Sequence, residues 1–224
     1  MAIGSPSRRG TLVPYDEMWD IVWENGSNQA IYRSVYVYDE EAVDFIRKNR
    51  TIKAFLGMRY IDEVPIDIDR GQNTDEYTHQ QAQLILQHIE EEYSLKDGNY
   101  QCYFSGTGYH IVLSADNFGF KESSELPFIV KQTMLGAFPE LELDPSVYSR
   151  TAILRMAHTL NIKSQLFKIP LSRDELVLQS YSEIQKLAQD RRLKYLGAEL
   201  WGDESMSHTI NDSVPDVRSM KTVN

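Results

Sequence analysis

The sequence predicts an α+β fold, and two observations predict it. Strand-like and helix-like segments interleave without the regular rhythm of a doubly wound parallel sheet. One strand pair, 100–105 and 109–114, is joined by a glycine-rich turn too short for anything but an antiparallel hairpin. The chain is 42% apolar over 224 residues, enough for one sizeable core.

Taken in order, residues 1–12 read as a flexible arm, and 31–38 alternate and are β-rich, which predicts a strand. Residues 40–50 read as a short helix. The stretch 58–69 holds a strand ending in Ile66-Asp67-Ile68-Asp69. Asn73 and Glu76 suit a capping arrangement, and Ala82, Ile85, Ile89 and Tyr93 follow at helical spacing, so 74–93 is an amphipathic helix. After the hairpin, 126–138 reads as a helix and 166–171 as a short strand. Residues 180–192 read as a helix with Ile184, Leu187 and Ala188 inward. No repeat or long linker interrupts 13–200, which predicts a single compact unit. Residues 201–224 are polar and aperiodic, as a tail or linker would be.

Charge narrows the possible partners. With 23 basic and 33 acidic residues the formal charge is −10, so bulk electrostatics do not favour nucleic acid. A template would have to be gripped locally. The candidates are Arg47, Lys48, Arg50 and Lys53, or Arg191, Arg192 and Lys194; solvated helix ends are the alternative for both groups. Cys102 is the single cysteine. It excludes an internal disulfide or a multi-cysteine zinc site and reads as a buried small hydrophobe, so no zinc is expected. No apolar run approaches the roughly 18 residues of a membrane span, and none follows Arg8 and Arg9 as a secretory signal requires. No membrane partner is expected, and a cytoplasmic location is.

Four segments carry residues suited to chemistry. In a strand, Asp67 and Asp69 project from one face while Ile66 and Ile68 point to the other. Paired carboxylates repel unless a cation bridges them, and hard oxygen ligands suit Mg²⁺ or Mn²⁺. A solvated strand end is the plainer explanation of that pair alone. Ser105-Gly106-Thr107-Gly108-Tyr109-His110 offers a hydroxyl, hairpin amides and an imidazole, together a cradle for phosphate; a plain hairpin with a structural histidine is the alternative. Asp144, followed by Pro145, fits a third metal ligand, a helix N-cap or both, and Arg150 and Arg155 are cations nearby. Lys163 and Lys168 flank a turn and offer point charges for a triphosphate, with a solvent-facing lysine as the default.

In this order the segments resemble the archaeo-eukaryotic primase superfamily, in a compact form like its phage or plasmid primase-polymerases, over about Val13 to Leu200. Ile66-Asp67-Ile68-Asp69 matches its hDhD strand end, and Ser105-Gly106-Thr107-Gly108-Tyr109-His110 its Ser-Gly hairpin. Leu143-Asp144 followed by Arg155, Thr159, Asn161, Lys163 and Ser164 matches its third motif. The chain departs from the pattern at Tyr109, where some members carry Arg, and at Asn161 and Gln165, where His and Gly are frequent.

The resemblance implies an RRM-like antiparallel sheet unit and an N-terminal α/β unit forming a cleft. It implies template-directed nucleotidyl transfer on single-stranded DNA, with Asp67, Asp69 and Asp144 holding two Mg²⁺ or Mn²⁺ ions. Ser105, Gly106, Gly108, His110, Lys163 and Arg155 would contact the incoming NTP or dNTP. A replicative helicase or a second primase subunit is an implied partner. Two rivals remain open at this point: a DxD metal-dependent glycosyltransferase, and a non-catalytic RRM-like accessory module stacking bases on Tyr100, Tyr103, Phe104 and Tyr109.

Overall fold

A computed structural model describes residues 1–7, 10–14, 16–95, 98–139 and 143–193. Its elements run β1 (Ala2–Ile3), α1 (Met18–Asn25), β2 (Ile31–Ser34), α2 (Glu40–Asn49), β3 (Glu63–Ile68), α3 (Asp75–Glu92), β4 (Tyr100–Phe104), β5 (Tyr109–Ser114), α4 (Leu126–Ala137), β6 (Ile153–Arg155), β7 (Leu160–Asn161), β8 (Leu166–Phe167), β9 (Ile169–Leu171), α5 (Arg173–Leu178) and α6 (Tyr181–Leu187). Two 3-10 turns, Ala115–Phe118 and Pro145–Tyr148, complete the set. The fold is mixed α+β, and every strand pairing among the described residues is antiparallel.

The main sheet has the order β3-β5-β4-β9. Its register sets Ile66 opposite Ile111 and Asp67 opposite His110. Alternation therefore gives it two unlike faces. One carries Val64, Ile66, Ile111 and Leu113, all buried, and meets Ala82, Ile85, Leu86 and Ile89 of α3 in the main core. Each Ile or Leu fully buried there stabilises the fold by about 1.5–3 kcal/mol. The other face carries Glu63, Asp67 and His110, and looks toward a second sheet of order β1-β2-β6.

The local differences from the sequence reading have physical reasons. Thr74, not Asn73, caps α3: its extended backbone lets its hydroxyl accept from the Tyr77 amide, while the Asn73 amide donates to Arg70 in the preceding turn. Helices α5 and α6 start on reciprocal capping boxes, Ser172 with Glu175 and Ser180 with Glu183. The single strand expected over 166–171 divides at Lys168, because Leu166–Phe167 pairs with β7 while Ile169–Leu171 pairs with β4. Residues 2–3, within the stretch expected to be a flexible arm, form an edge strand on β2 with Ala2 fully buried. Helix α1 carries little sequence signal: its buried side chains are only Met18 and Val22, four apart. Residues 201–224 and Lys194 lie outside the described residues. Among the described residues no helix is long and apolar enough to cross a membrane.

Candidate metal centre

Strand β3 ends where the hairpin between β4 and β5 folds over it. Gly108 makes this approach possible, since a Cβ there would stand 2.2 Å from the Ile68 carbonyl oxygen. Gly106 sits at φ +93°, a backbone suited to glycine. The turn closes on itself: the Ser105 amide donates to the Gly108 carbonyl at 2.8 Å, and the Gly108 amide to Ser105 Oγ at 3.2 Å. The two glycines thus serve close packing, and the Gly108 amide is taken within the turn. Ser105 Oγ keeps its own proton to donate.

Asp67 at the strand end, Asp69 just beyond it and Asp144 come together. Each offers a carboxylate oxygen within 4.8 Å of the other two, and the three can hold a metal ion. Asp144 is also the N-cap of the Pro145–Tyr148 turn, accepting from the Ser146 amide at 2.8 Å and the Ser146 hydroxyl at 2.7 Å. The two roles weighed for it coexist, since a carboxylate has lone pairs beyond those two bonds. Asp67 Oδ1 is buried and lacks an aligned hydrogen bond among the described residues, although His110 Nε2 stands 3.3 Å away.

The electrostatics match a cation site. Burial, then the charges of Asp67 and Asp144, raise the Asp69 carboxyl above its usual range despite Arg155 and Lys163. Burial also pushes Asp67 upward, but His110, Lys168 and Arg155 outweigh it and hold Asp67 low. Burial and then Lys168 push His110 down to about 4, so its ring is neutral at neutral pH and the contact to Asp67 assigns the proton to Nε2. A divalent cation held by these three acids would relieve their mutual repulsion and give the orphaned oxygen a partner.

Beside the acids opens a cleft of about 510 Å³ lined by Asp67, Asp69, Ser105, His110, Arg155 and Lys163, among others. That lies in the range of about 300–1,000 Å³ typical of small-ligand sites. Arg155 reaches across from β6, its guanidinium donating to the Ser105 carbonyl. Asn161 Nδ2 donates to the same carbonyl at 3.4 Å. Lys163 stands exposed on the rim.

No family model matches this chain, and no curated protein matches it. Among solved structures it is similar to one titled "Polymerase Domain from Mycobacterium tuberculosis Ligase D in complex with DNA", with 19% identity and a TM-score of 0.39. The match covers 62% of this chain and 56% of that one. At that TM-score the likeness carries no argument.

Several residues lie elsewhere than the sequence reading expected. Lys168 does not face solvent. It is 2% exposed, donates to the Arg155 carbonyl at 2.7 Å and stands 4.4 Å from the Tyr103 ring centre. Burial, then Arg155 and Arg33, push it down to about 7. Arg150 pairs with Glu125 at 3.0 Å. Arg191 donates to the carbonyls of His158 and Val22, and Arg192 pairs with Glu175, so this proposed template grip is taken up inside the fold. None of Arg47, Lys48, Arg50 and Lys53 lines the cleft. Tyr100, Tyr103, Phe104 and Tyr109 are at most 5% exposed, so base stacking on them is closed off. Tyr32, Thr107 and the N-terminal residues Gly4 and Pro6 also line the cleft. Thr107 lies within the hairpin motif, but Tyr32, Gly4 and Pro6 carry no local signal, since proximity across the two sheets is not written in local spacing.

Proposed function

We propose that this protein is a metal-dependent nucleotidyltransferase that extends a primer on a single-stranded DNA template, as its resemblance to primase-polymerases implies. The observation that carries the reading is the meeting of Asp67, Asp69 and Asp144 within 4.8 Å beside a cleft lined by Arg155 and Lys163. Three acids alone would suit many hydrolases. Acids beside cations in one cleft suit a substrate that brings both metal and phosphate.

Asp67, Asp69 and Asp144 would hold Mg²⁺ or Mn²⁺, which when bound supplies Lewis-acid polarisation of phosphoryl oxygen and a more acidic attacking hydroxyl. Lys163 meets triphosphate oxygens as a point charge from the rim, and Arg155 opposes their charge from the buried wall. The Ser105 hydroxyl donates into the same space. His110, neutral, stands 3.3 Å from Asp67 Oδ1 and lines the cleft beside it. Base identity is left to template pairing, so NTP and dNTP are both candidate substrates. With a net charge of −10, template grip falls to a partner, for which a helicase or a second subunit is suited. A glycosyltransferase finds less support, because the antiparallel sheets leave no place for its parallel nucleotide-sugar unit.

The test is primer extension on single-stranded templates with Mg²⁺ or Mn²⁺ and both nucleotide types, with and without primer. The expected result is template-dependent product that disappears in Asp67→Ala/Asp69→Ala while that variant stays folded. Absence of product from folded wild-type protein with either metal would overturn the reading.

A further inference from the structure

Tyr148 is the last residue of the 3-10 turn that Asp144 caps. The turn is held from outside: the Tyr36 hydroxyl donates to the Tyr148 carbonyl at 2.9 Å. The Tyr148 side chain is 1% exposed, and its hydroxyl has no hydrogen-bond partner among the described residues. An unpartnered buried hydroxyl is destabilising, and phenylalanine would fill the same volume without that penalty. Packing therefore does not account for a tyrosine here. Its 3-10 turn is capped by Asp144 and packs against β3, the strand that carries Asp67, so two members of the metal centre are neighbours of the turn.

We infer that Tyr148 is a positioning residue of the carboxylate centre, its hydroxyl donating its one proton to the carboxylate of Asp67 or of Asp144 when a divalent cation gathers them. The inference rests on the metal-centre reading above. A hydrogen bond from behind fixes a carboxylate's orientation, and such outer-shell donors govern metal affinity. The hydroxyl belongs to the same turn as Asp144, so orienting the ligand and shaping its cap are one structural event.

The test is Mn²⁺ binding to wild type, Tyr148→Phe and Tyr36→Phe, read as free Mn²⁺ by electron paramagnetic resonance, with Tm measured in EDTA. Tyr148→Phe is expected to bind Mn²⁺ about 10-fold or more weakly, with a Tm in EDTA equal to or above wild type. Tyr36→Phe, which loosens the same turn but spares the hydroxyl, is expected to lower the Tm and leave affinity within about threefold. Wild-type affinity in Tyr148→Phe overturns the inference alone. An equal loss in both variants overturns it too, since turn rigidity then explains the effect. Failure of wild type to bind Mn²⁺ overturns the metal centre, and this inference with it.

Discussion

Lys168 is the residue whose behaviour departs furthest from its type. An ammonium with 2% exposure loses its hydration, and the neighbouring Arg155 and Arg33 add repulsion, so its folded-state pKa falls to about 7. Above pH 7 the folded protein holds a neutral amine there, while the unfolded chain keeps its proton up to about pH 10.4. The unfolded state then binds more protons, so stability rises with pH across that window and falls again as pH drops toward 7. Urea unfolding at pH 7 and pH 9.5 should show the wild type gaining on the order of 3 kcal/mol relative to Lys168→Met. Parallel pH dependence in the two proteins would refute the assignment. Asp69 provides a second prediction. Burial, then Asp67 and Asp144, raise its pKa, so without metal its charge opposes folding at neutral pH. Asp69→Asn should raise Tm in EDTA by about 1–3 °C, the scale of exposed charge pairs, and abolish stabilisation by Mn²⁺. A lower Tm in EDTA would show that the acids do not repel in the metal-free fold. The pairing of Asp67 with Asp69 was legible because strand period alone fixes their shared face. The burial of Lys168 was not, because a lysine between two short strands has the same local sequence whether it turns out or in.

At the scale of elements, the hairpin between β4 and β5 was readable residue by residue: alternation gave the strands and two glycines gave the turn. What those glycines are for was not readable, because the atom that Gly108 must avoid belongs to β3, forty residues earlier in the chain. The same limit hid the division of 166–171, where pairing with two different partners overrides a continuous β pattern. Close contact between hairpin and strand end makes Gly108→Ala informative. A methyl group placed 2.2 Å from the Ile68 carbonyl oxygen forces the backbone apart next to Asp69. The expected cost is about 1–3 kcal/mol by overpacking, with a larger proportional loss of Mn²⁺ affinity, because the displacement falls on a ligand. Thermal melts in EDTA and in Mn²⁺ separate the two effects. Unchanged Mn²⁺ stabilisation would show that Asp69 is positioned independently of the hairpin.

At the scale of the whole molecule, the two larger sheets face each other across charged side chains, and residues of both line the cleft. Arg33 of β2 pairs with Glu63 of β3, with side chains 19% and 14% exposed. Arg155 of β6 grips the Ser105 carbonyl at the end of β4, and Lys168 lies between these contacts, repelled by both arginines and attracted by Glu63. Below pH 7, where Lys168 is protonated, the inter-sheet layer therefore holds three cations around Glu63, with Asp67 at its far end. This imbalance makes the two partners of the ion pair unequal. Losing Arg33 leaves Glu63 with Lys168 as a substitute, and relieves Lys168 of one repelling charge. Losing Glu63 leaves Arg33, Arg155 and Lys168 crowded in a part-buried layer with their shared counter-charge gone. Removing one partner of a buried pair costs about 3–5 kcal/mol, and Glu63→Gln should reach that range while Arg33→Met falls clearly below it. The double variant Arg33→Met/Glu63→Gln should recover part of the loss, as coupled neighbours do. Urea unfolding at pH 6, where Lys168 is charged, measures all three. An Arg33→Met cost equal to or above that of Glu63→Gln would mean that Lys168 does not share the layer's charge, and that the two sheets are held by the single pair alone.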